Sequence, residues 1–241
     1  MRFPIFGAVT NYPEMLNKIS VSTFIYAILA TAILRGEIQG FDSLLTEKVE
    51  SIQTFRDLKL TVLGAKFGVG TVLPPLVFAI LARIFKMHDR ISDVFRIRYR
   101  FDVTSILIPL AIGSCNHVYL DLIEKINRNR NDLMPKVFYK FASSTPSRAQ
   151  IDEHLIIMAL DMWSWYWIIL EMVTVNIIVT VILVISGLTN WISFLFIITM
   201  LELCLIYIIK IRAERYAMAQ VKEILSDSGR RAMVETEFDA L

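Results

Sequence analysis

Two long apolar runs in the C-terminal half dominate the pattern of hydrophobic and polar positions along the chain. Trp163–Ser186 contains 24 residues with one charge, and Trp191–Ile209 contains 19 residues with one charge. A helix needs about 20 mainly apolar residues to cross the hydrocarbon core of a bilayer, so both runs predict membrane spans. Because only residues 187–190 separate them, we predict an antiparallel hairpin of two transmembrane helices over residues 163–209.

Two further runs near the N-terminus also predict spans. Residues 19–34 are uncharged and mostly apolar, and residues 60–82 carry Lys66 as their one charge. The first run is short for a span, but a bilayer can thin locally around a short segment. We therefore predict an N-terminal segment 1–82 that contains a first span at about 19–34, an outer loop at 35–59 and a second span at about 60–82.

The remaining residues show helical periodicity. Apolar positions within 118–133 recur on one face of a helix, and Thr145 before Pro146 is typical of a helix start. The uncharged run 103–115 is too short for a span and is typical of a buried core helix or a re-entrant segment. The predicted fold class is all-α. It has four transmembrane helices, a helical basic cytoplasmic domain over 83–162, and a cytoplasmic C-terminal helix and tail over 210–241.

The distribution of charge sets the predicted orientation. Residues 83–162 contain twelve Lys and Arg, and residues 210–241 contain six, whereas the loop 35–59 has four against five acids and the turn 187–190 has no charge. Basic segments next to spans favour the cytoplasmic side. We therefore predict a multi-pass protein of the cell inner (plasma) membrane with both termini in the cytoplasm. The composition agrees, since 55% of the residues are hydrophobic and only 20% are charged.

Four polar residues fall inside the predicted spans. Glu171 lies eight residues after Trp163 and Glu202 lies eight residues before Lys210, which is about 12 Å at 1.5 Å per residue. Asn176 lies deeper on the same helix as Glu171, and Lys66 lies nearer the outer side. A charge near the bilayer centre costs at least about 2.5 kcal/mol, so such residues usually face a bundle interior or water. Two acids at one level indicate a ring or a proton-sharing pair on a pathway, and hydrogen-bonded structural carboxylates are the alternative.

Small residues and prolines mark the second predicted span as a special helix. Gly64 and Gly68 have the GxxxG spacing that lets membrane helices approach closely. Pro74 and Pro75 follow on the same run, and prolines remove backbone donors and kink a helix. We predict that this helix packs closely through its glycines and moves or lines a pore.

Two arginine clusters occur in the predicted cytoplasmic domain. The segment "RIRYR" contains Arg96, Arg98 and Arg100, and "NRNRN" contains Arg128 and Arg130. We predict that these five residues form a basic cytoplasmic surface, which the positive-inside rule and anionic lipid contact explain. Nucleic acid is therefore an unlikely partner.

The chain has no sequence motif for a phosphate-binding loop, a catalytic serine or a zinc protease. Its two cysteines are too few for a metal cluster built on cysteines. Arg83 and Arg148 precede His88 and His154 at a spacing that resembles the Arg-x4–6-His signature of HEPN ribonucleases. The polar residue that follows the arginine in that family is isoleucine in one case and alanine in the other. We therefore predict no catalytic residue, no cofactor and no metal, and expect that the protein is not an enzyme.

In architecture, the predicted chain resembles small membrane effectors of bacterial anti-phage (antiviral) defence systems. The resemblance implies a channel-like homo-oligomer in the lipid bilayer that couples a cytoplasmic helical domain to a membrane pathway or permeability change. A soluble cytoplasmic protein is the expected partner. The alternative is a membrane-anchored scaffold or sensor that recruits and regulates such a partner without conducting anything.

Overall fold

The computed structural model of the chain describes residues 7–38, 59–62, 65–115, 120–145 and 149–241. In these ranges the chain is mainly helical, with one antiparallel pair of short strands and several irregular connections, so the predicted helical class is confirmed. The elements in chain order are α1 Tyr12–Glu37, β1 Lys59–Val62, β2 Ala65–Gly68, α2 Val69–Ile84, α3 Met87–Phe95, α4 Ile97–Phe101, α5 Ile108–Ser114, α6 Leu120–Arg128, α7 Arg130–Met134, α8 Glu153–Ile185, α9 Ile192–Ser226 and α10 Ser228–Asp239. Two π-helical segments, Asp102–Leu107 and Pro135–Tyr139, lie between α4 and α5 and after α7.

Among the described residues, three helices are long and apolar enough to cross a membrane. They are Tyr12–Arg35 within α1, Glu153–Ile185 and Ile192–Ser226. The helices α2 and α3 pass the same test only as a broken pair, which raises the number to four if the pair counts as one span. By length and composition, these apolar helices indicate a membrane protein. Most of the predicted outer loop 35–59 lies outside the described residues.

The second predicted span differs most from the sequence-based expectation. A helix was predicted from Leu60, but β1 and β2 pair antiparallel there and α2 begins only at Val69. β-branched residues such as Thr61 and the glycines of this stretch are poor helix formers, which explains the difference. Lys66 lies in β2 opposite Thr61, so its predicted place inside a membrane helix is wrong. The side chain of Lys66 lies outside the described residues.

The predicted glycine motif is also wrong as a helix-packing motif. Gly68 ends β2 and caps the start of α2, and Gly64 lies outside the described residues. Pro74 and Pro75 do lie within α2, which continues to its last residue in spite of them. The helix breaks later, near Lys86, whose positive φ of 46° ends the helical path before α3 begins.

The described chain forms two compact units. The bundle unit contains residues 16–88 and 165–207, and the globular unit contains residues 7–15, 89–164 and 208–241. The helices α1, α3, α8 and α9 each contribute residues to both units. The segment 208–241, which the sequence separated from 83–162 as a tail, is therefore part of the globular unit.

The core of the globular unit is built around the run 103–115. Leu107, Leu110 and Ala111 from this run are fully buried in one hydrophobic cluster. The cluster also includes apolar residues of α9 and α10, so the C-terminal helices cover the short helix that sequence analysis could not place. They are Ala213, Ala217, Val221, Ile224, Val234 and Phe238. The C-terminal segment of the same chain thus supplies part of the core around 103–115.

Removing the Phe238 side chain tests this role of the C-terminal helix. Phe238 is buried in the cluster, whereas Met233 of the same helix is exposed. We expect that Phe238→Ala lowers the free energy of unfolding of the globular unit by about 3–5 kcal/mol, since a buried phenylalanine leaves a cavity. Met233→Ala is the matched control and should change little. Thermal unfolding of the detergent-solubilised protein measures both, and equal unfolding temperatures would contradict docking of α10.

Candidate functional site

Three of the polar residues predicted inside the membrane spans are buried within the bundle unit. Glu171, Asn176 and Glu202 expose 2%, 2% and 6% of their surface. Carboxylates are costly among apolar helices unless other groups satisfy them. Their neighbours therefore decide what the site can do.

Glu171 on α8 has partners on two other elements. The Thr23 hydroxyl of α1 donates a hydrogen bond to its Oε2, and Nδ1 of His88 lies 3.6 Å from its Oε1. His88 is itself buried, and its ring centroid lies 5.9 Å from that of Trp167. A carboxylate, a hydroxyl and an imidazole thus meet in the interior. The carboxylate and the imidazole can bind or release a proton, and the hydroxyl can donate or accept a hydrogen bond.

Glu202 on α9 belongs to a second group. The amide nitrogen of Asn176 donates to its Oε2 at 2.8 Å. The Tyr26 hydroxyl of α1 lies 2.9 Å from its Oε1 and 2.8 Å from the Asn176 side-chain oxygen, so its single proton can serve either acceptor. Glu202 therefore pairs with Asn176, about 7.5 Å farther along α8 than Glu171. The prediction that the two acids lie at one level is wrong. The group around Glu171 and the group around Glu202 follow one another along α1 and α8.

Helix α1 connects the two groups, and sequence analysis missed this role. Thr23 and Tyr26 are three residues apart and so lie on one face of the helix. Lys18 precedes them on α1 and is also buried, with its ammonium 4.4 Å from the Trp165 ring centroid. Thr23 and Tyr26 were missed because residues with hydroxyl groups do not interrupt an apolar run, and Lys18 was missed because it lies just before the run. The repeat of polar residues at helical spacing was the available signal.

We call six of these side chains the buried polar network, drawn from α1, α2–α3, α8 and α9 of the bundle unit. They are Thr23, Tyr26, His88, Glu171, Asn176 and Glu202.

One end of the network meets an apolar cluster, which we call the apolar plug. Its buried members are Ala30, Leu34, Val175, Val179, Leu183 and Leu195. Ala30 and Leu34 lie one and two turns beyond Tyr26 on α1, and Leu183 lies two turns beyond Asn176 on α8. Apart from Val175, which is next to Asn176, the members on α1 and α8 lie beyond the polar groups along these helices.

The contacts also give the relative directions of α1 and α8. Lys18 lies near Trp165, Thr23 bonds Glu171 and Tyr26 bonds Asn176, so positions advance together along both helices. The two helices therefore run side by side in the same direction.

Helix α2 runs opposite to α1. Near the start of α1, the Asn17 side-chain oxygen accepts a hydrogen bond from Nη1 of Arg83 at 2.7 Å. Near the end of α1, Arg35 donates to the hydroxyl of Thr71, which lies in the first turn of α2. Each end of α1 thus contacts the opposite end of α2.

The predicted basic surface is divided by the structure. Its exposed members are Arg96, Arg98, Arg100 and Arg128. Arg130 instead pairs with the buried carboxylate of Asp102, with Nε 3.0 Å from Oδ2. Burial raises the pKa of the Asp102 carboxyl, and the Arg130 guanidinium opposes that rise. Arg130 is therefore a structural residue of the globular unit.

Substitution of these two arginines separates the roles. We expect that Arg130→Gln lowers the free energy of unfolding by about 3–5 kcal/mol, because it leaves a buried carboxylate without its cation. Arg128→Gln removes an exposed ion pair with Glu124, one helical turn away, and should cost about 0.3–0.5 kcal/mol. Chemical unfolding of the two variants checks the difference, and equal costs would contradict a structural role for Arg130.

No group of three or more His, Cys, Asp or Glu side chains is placed to hold a metal ion in the part of the chain that the structure describes. The buried polar network contains three such residues by type, but they are distributed over two separate groups.

Comparison with known proteins gives a family but no individual relative. No curated protein and no solved structure matches the chain. The model of the YmfE protein family matches residues 11–235, a range that includes most of both units and every residue of the buried polar network. Since this match extends over most of its length, the chain belongs to the YmfE protein family.

Proposed function

We propose that this protein is a channel-like membrane effector, in which the buried polar network is a closed pathway for protons or small cations and the globular unit controls its opening. The observation that carries the proposal is that α1 contacts first Glu171, through Thr23, and then Glu202, through Tyr26, and that the apolar plug follows. Ionisable residues within membrane helices usually mark ion pathways or proton relays because their burial is costly.

The chemistry of the network fits proton or cation transfer. Glu171 and Glu202 can each hold a proton or attract a cation, and Thr23 and Tyr26 offer hydroxyl groups beside them. His88 adds a group whose ordinary pKa is close to neutral pH. A network needed only for packing could use amides alone, at a lower cost of burial.

The apolar plug accounts for a closed resting state. A dry apolar constriction stops ions because they would have to give up their water there. Opening requires the faces of α1, α8 and α9 to separate at the plug. Helices α8 and α9 extend without interruption into the globular unit, so a change in that unit can turn or shift their membrane portions.

The helix directions support the four-crossing layout. If α1 and α8 both cross the membrane in the same direction, the chain must cross back between them an odd number of times. Helix α2 runs opposite to α1 and contacts it near both ends, which makes the broken α2–α3 pair the best candidate for the return. The clustering of Lys and Arg then favours cytoplasmic termini and the inner membrane.

Assembly and partners follow as parts of the same proposal. We propose that the protein forms a homo-oligomer and that a soluble cytoplasmic protein triggers it. The resemblance in architecture to anti-phage effectors remains a prediction.

Flux through the reconstituted full-length protein tests the proposal against the scaffold alternative. Liposomes with a trapped pH dye receive either the wild-type protein or a variant with a polar residue in the plug, and proton and potassium entry are followed after a gradient is applied. Flux through the opened variant supports a pathway. A scaffold would conduct nothing in either form and would still capture its partner.

A further inference from the structure

The end of α3 displays two large apolar side chains. Val94 and Phe95 expose 77% and 64% of their surface, whereas His88 and Ser92, on another face of the same helix, are buried. The helix is thus fixed by one face and presents apolar groups at its C-terminal end. Two adjacent exposed apolar residues of this size indicate a contact surface when charged residues flank them.

The residues that follow are strongly basic. Arg96, Arg98 and Arg100 are exposed, and residues 94–101 contain no acid. Asp93, just before them, is exposed, and Asp102, just after them, is buried against Arg130. Residues 93–100 therefore carry three positive charges and one negative charge.

We propose that residues 94–100 form a binding site for anionic phospholipid at the membrane surface. Val94 and Phe95 enter the boundary between headgroups and acyl chains, and Arg96 and Arg100 contact lipid phosphates. Apolar residues beside arginines are the usual composition of a segment that lies in this interface. Arg98 contributes less, since it donates to the Tyr139 hydroxyl at 3.3 Å.

Continuity of the chain favours a lipid surface over a protein partner. Helix α3 begins three residues after the end of α2, and the two helices together have the length and apolar character of a broken span. Ile84, the last residue of α2, is also exposed. The apolar pair thus lies at the C-terminal end of this broken pair of helices, where headgroups are the nearest anionic surface.

A fluorescent label at position 94 tests the site in the full-length protein. Val94→Cys is labelled with an environment-sensitive dye after Cys115 and Cys204, the two native cysteines, are replaced by serine. The protein is placed in nanodiscs of phosphatidylcholine alone or with increasing phosphatidylglycerol. We expect the emission to shift to shorter wavelength as phosphatidylglycerol is added and the shift to weaken at about 1 M salt, where charges are screened beyond about 3 Å.

Charge variants complete the test. Arg96→Gln with Arg100→Gln should weaken binding to phosphatidylglycerol by about fivefold per arginine, so the emission shift of the double variant should stay well below that of the parent protein at every phosphatidylglycerol fraction. Arg128→Gln removes an exposed arginine elsewhere in the globular unit and should leave the titration unchanged. The same emission in both lipids, or the same titration for the double variant, overturns the proposal. Phe95→Cys provides a second labelling site if Val94→Cys does not fold.

Discussion

Leu183→Asn is expected to raise proton flux through reconstituted liposomes by about tenfold or more over the wild-type protein. Such an increase requires the barrier to fall by only about 1.4 kcal/mol. A hydrogen bond between an amide and an entering water contributes about that much, about 0.5–1.5 kcal/mol. If the plug is the barrier that we propose, one polar side chain there should therefore be sufficient to change conduction measurably.

The position of Leu183 explains why it is the residue to change. It exposes 0% of its surface and lies two turns beyond Asn176 within the apolar plug, whereas the adjacent Val184 exposes 56%. Val184→Asn introduces the same amide on the outer side of the same helix and is the matched control. It carries the same penalty for a polar group in a membrane helix but leaves the plug unchanged.

The comparison of these two variants decides the role of the plug. Both proteins are reconstituted at equal density and checked for monodispersity before the pH gradient is applied. High flux with Leu183→Asn and low flux with Val184→Asn supports a gate at this layer. Equal flux from both variants would mean that the amide disturbs the bilayer in general, and the plug would then have no role as a barrier.

The sequence predicts features that depend on long uniform runs. The apolar helices α8 and α9 and the buried acids Glu171 and Glu202 follow from the length of each run and the cost of a charge inside it. The length of a run and the cost of a charge inside it can be read from that segment alone, without knowing which other helices it contacts.

Features that depend on pairing between distant residues could not be predicted in the same way. Glu202 contacts Asn176 and Tyr26, and this set is fixed by how three helices pack. Counting residues from the ends of the runs placed both acids at one level, because it ignored the offset between α8 and α9. The strand pair that replaces the start of the second predicted span is a similar case, because a strand is stabilised by side-chain contacts with its partner strand.

The docking of α10 shows the same limit in the globular unit. The segment after Asp227 looks like a polar, acidic tail, and its two buried apolar residues, Val234 and Phe238, are too few to indicate a core contact. Only the cluster formed with the run 103–115 shows what they cover. The hydrophobicity of that run, which is unusual for a segment outside the bundle unit, was the signal that a cover must exist.

Glu171→Gln combined with Glu202→Gln is expected to abolish the flux that Leu183→Asn opens. Glutamine keeps the size and an oxygen acceptor but can neither carry a negative charge nor exchange a proton in this pH range. If the carboxylates are the conducting groups, flux in the triple variant should return to the wild-type level, a loss of about tenfold or more. Proton and potassium entry are measured in the same liposomes.

The structure also predicts how the single variants differ. Glu202 accepts hydrogen bonds at both oxygens, from Tyr26 and Asn176, so Glu202→Gln turns one acceptor into a donor and should lower the unfolding temperature. Glu171 accepts from Thr23 at one oxygen and faces His88 with the other, so Glu171→Gln should disturb packing less. Unfolding temperatures separate this effect from a loss of conduction.

A carboxylate on α9 outside the network provides the remaining control. Glu214 is partly exposed and pairs with Lys210 at 3.6 Å, so Glu214→Gln should leave flux unchanged in the opened background. A proton relay needs both acids, since each transfers to the next, and either single variant should then remove proton flux. If the acids only attract cations, each single variant should reduce potassium flux in part. Undiminished flux in the triple variant would show that ions pass elsewhere and that the two glutamates hold the helices together without conducting.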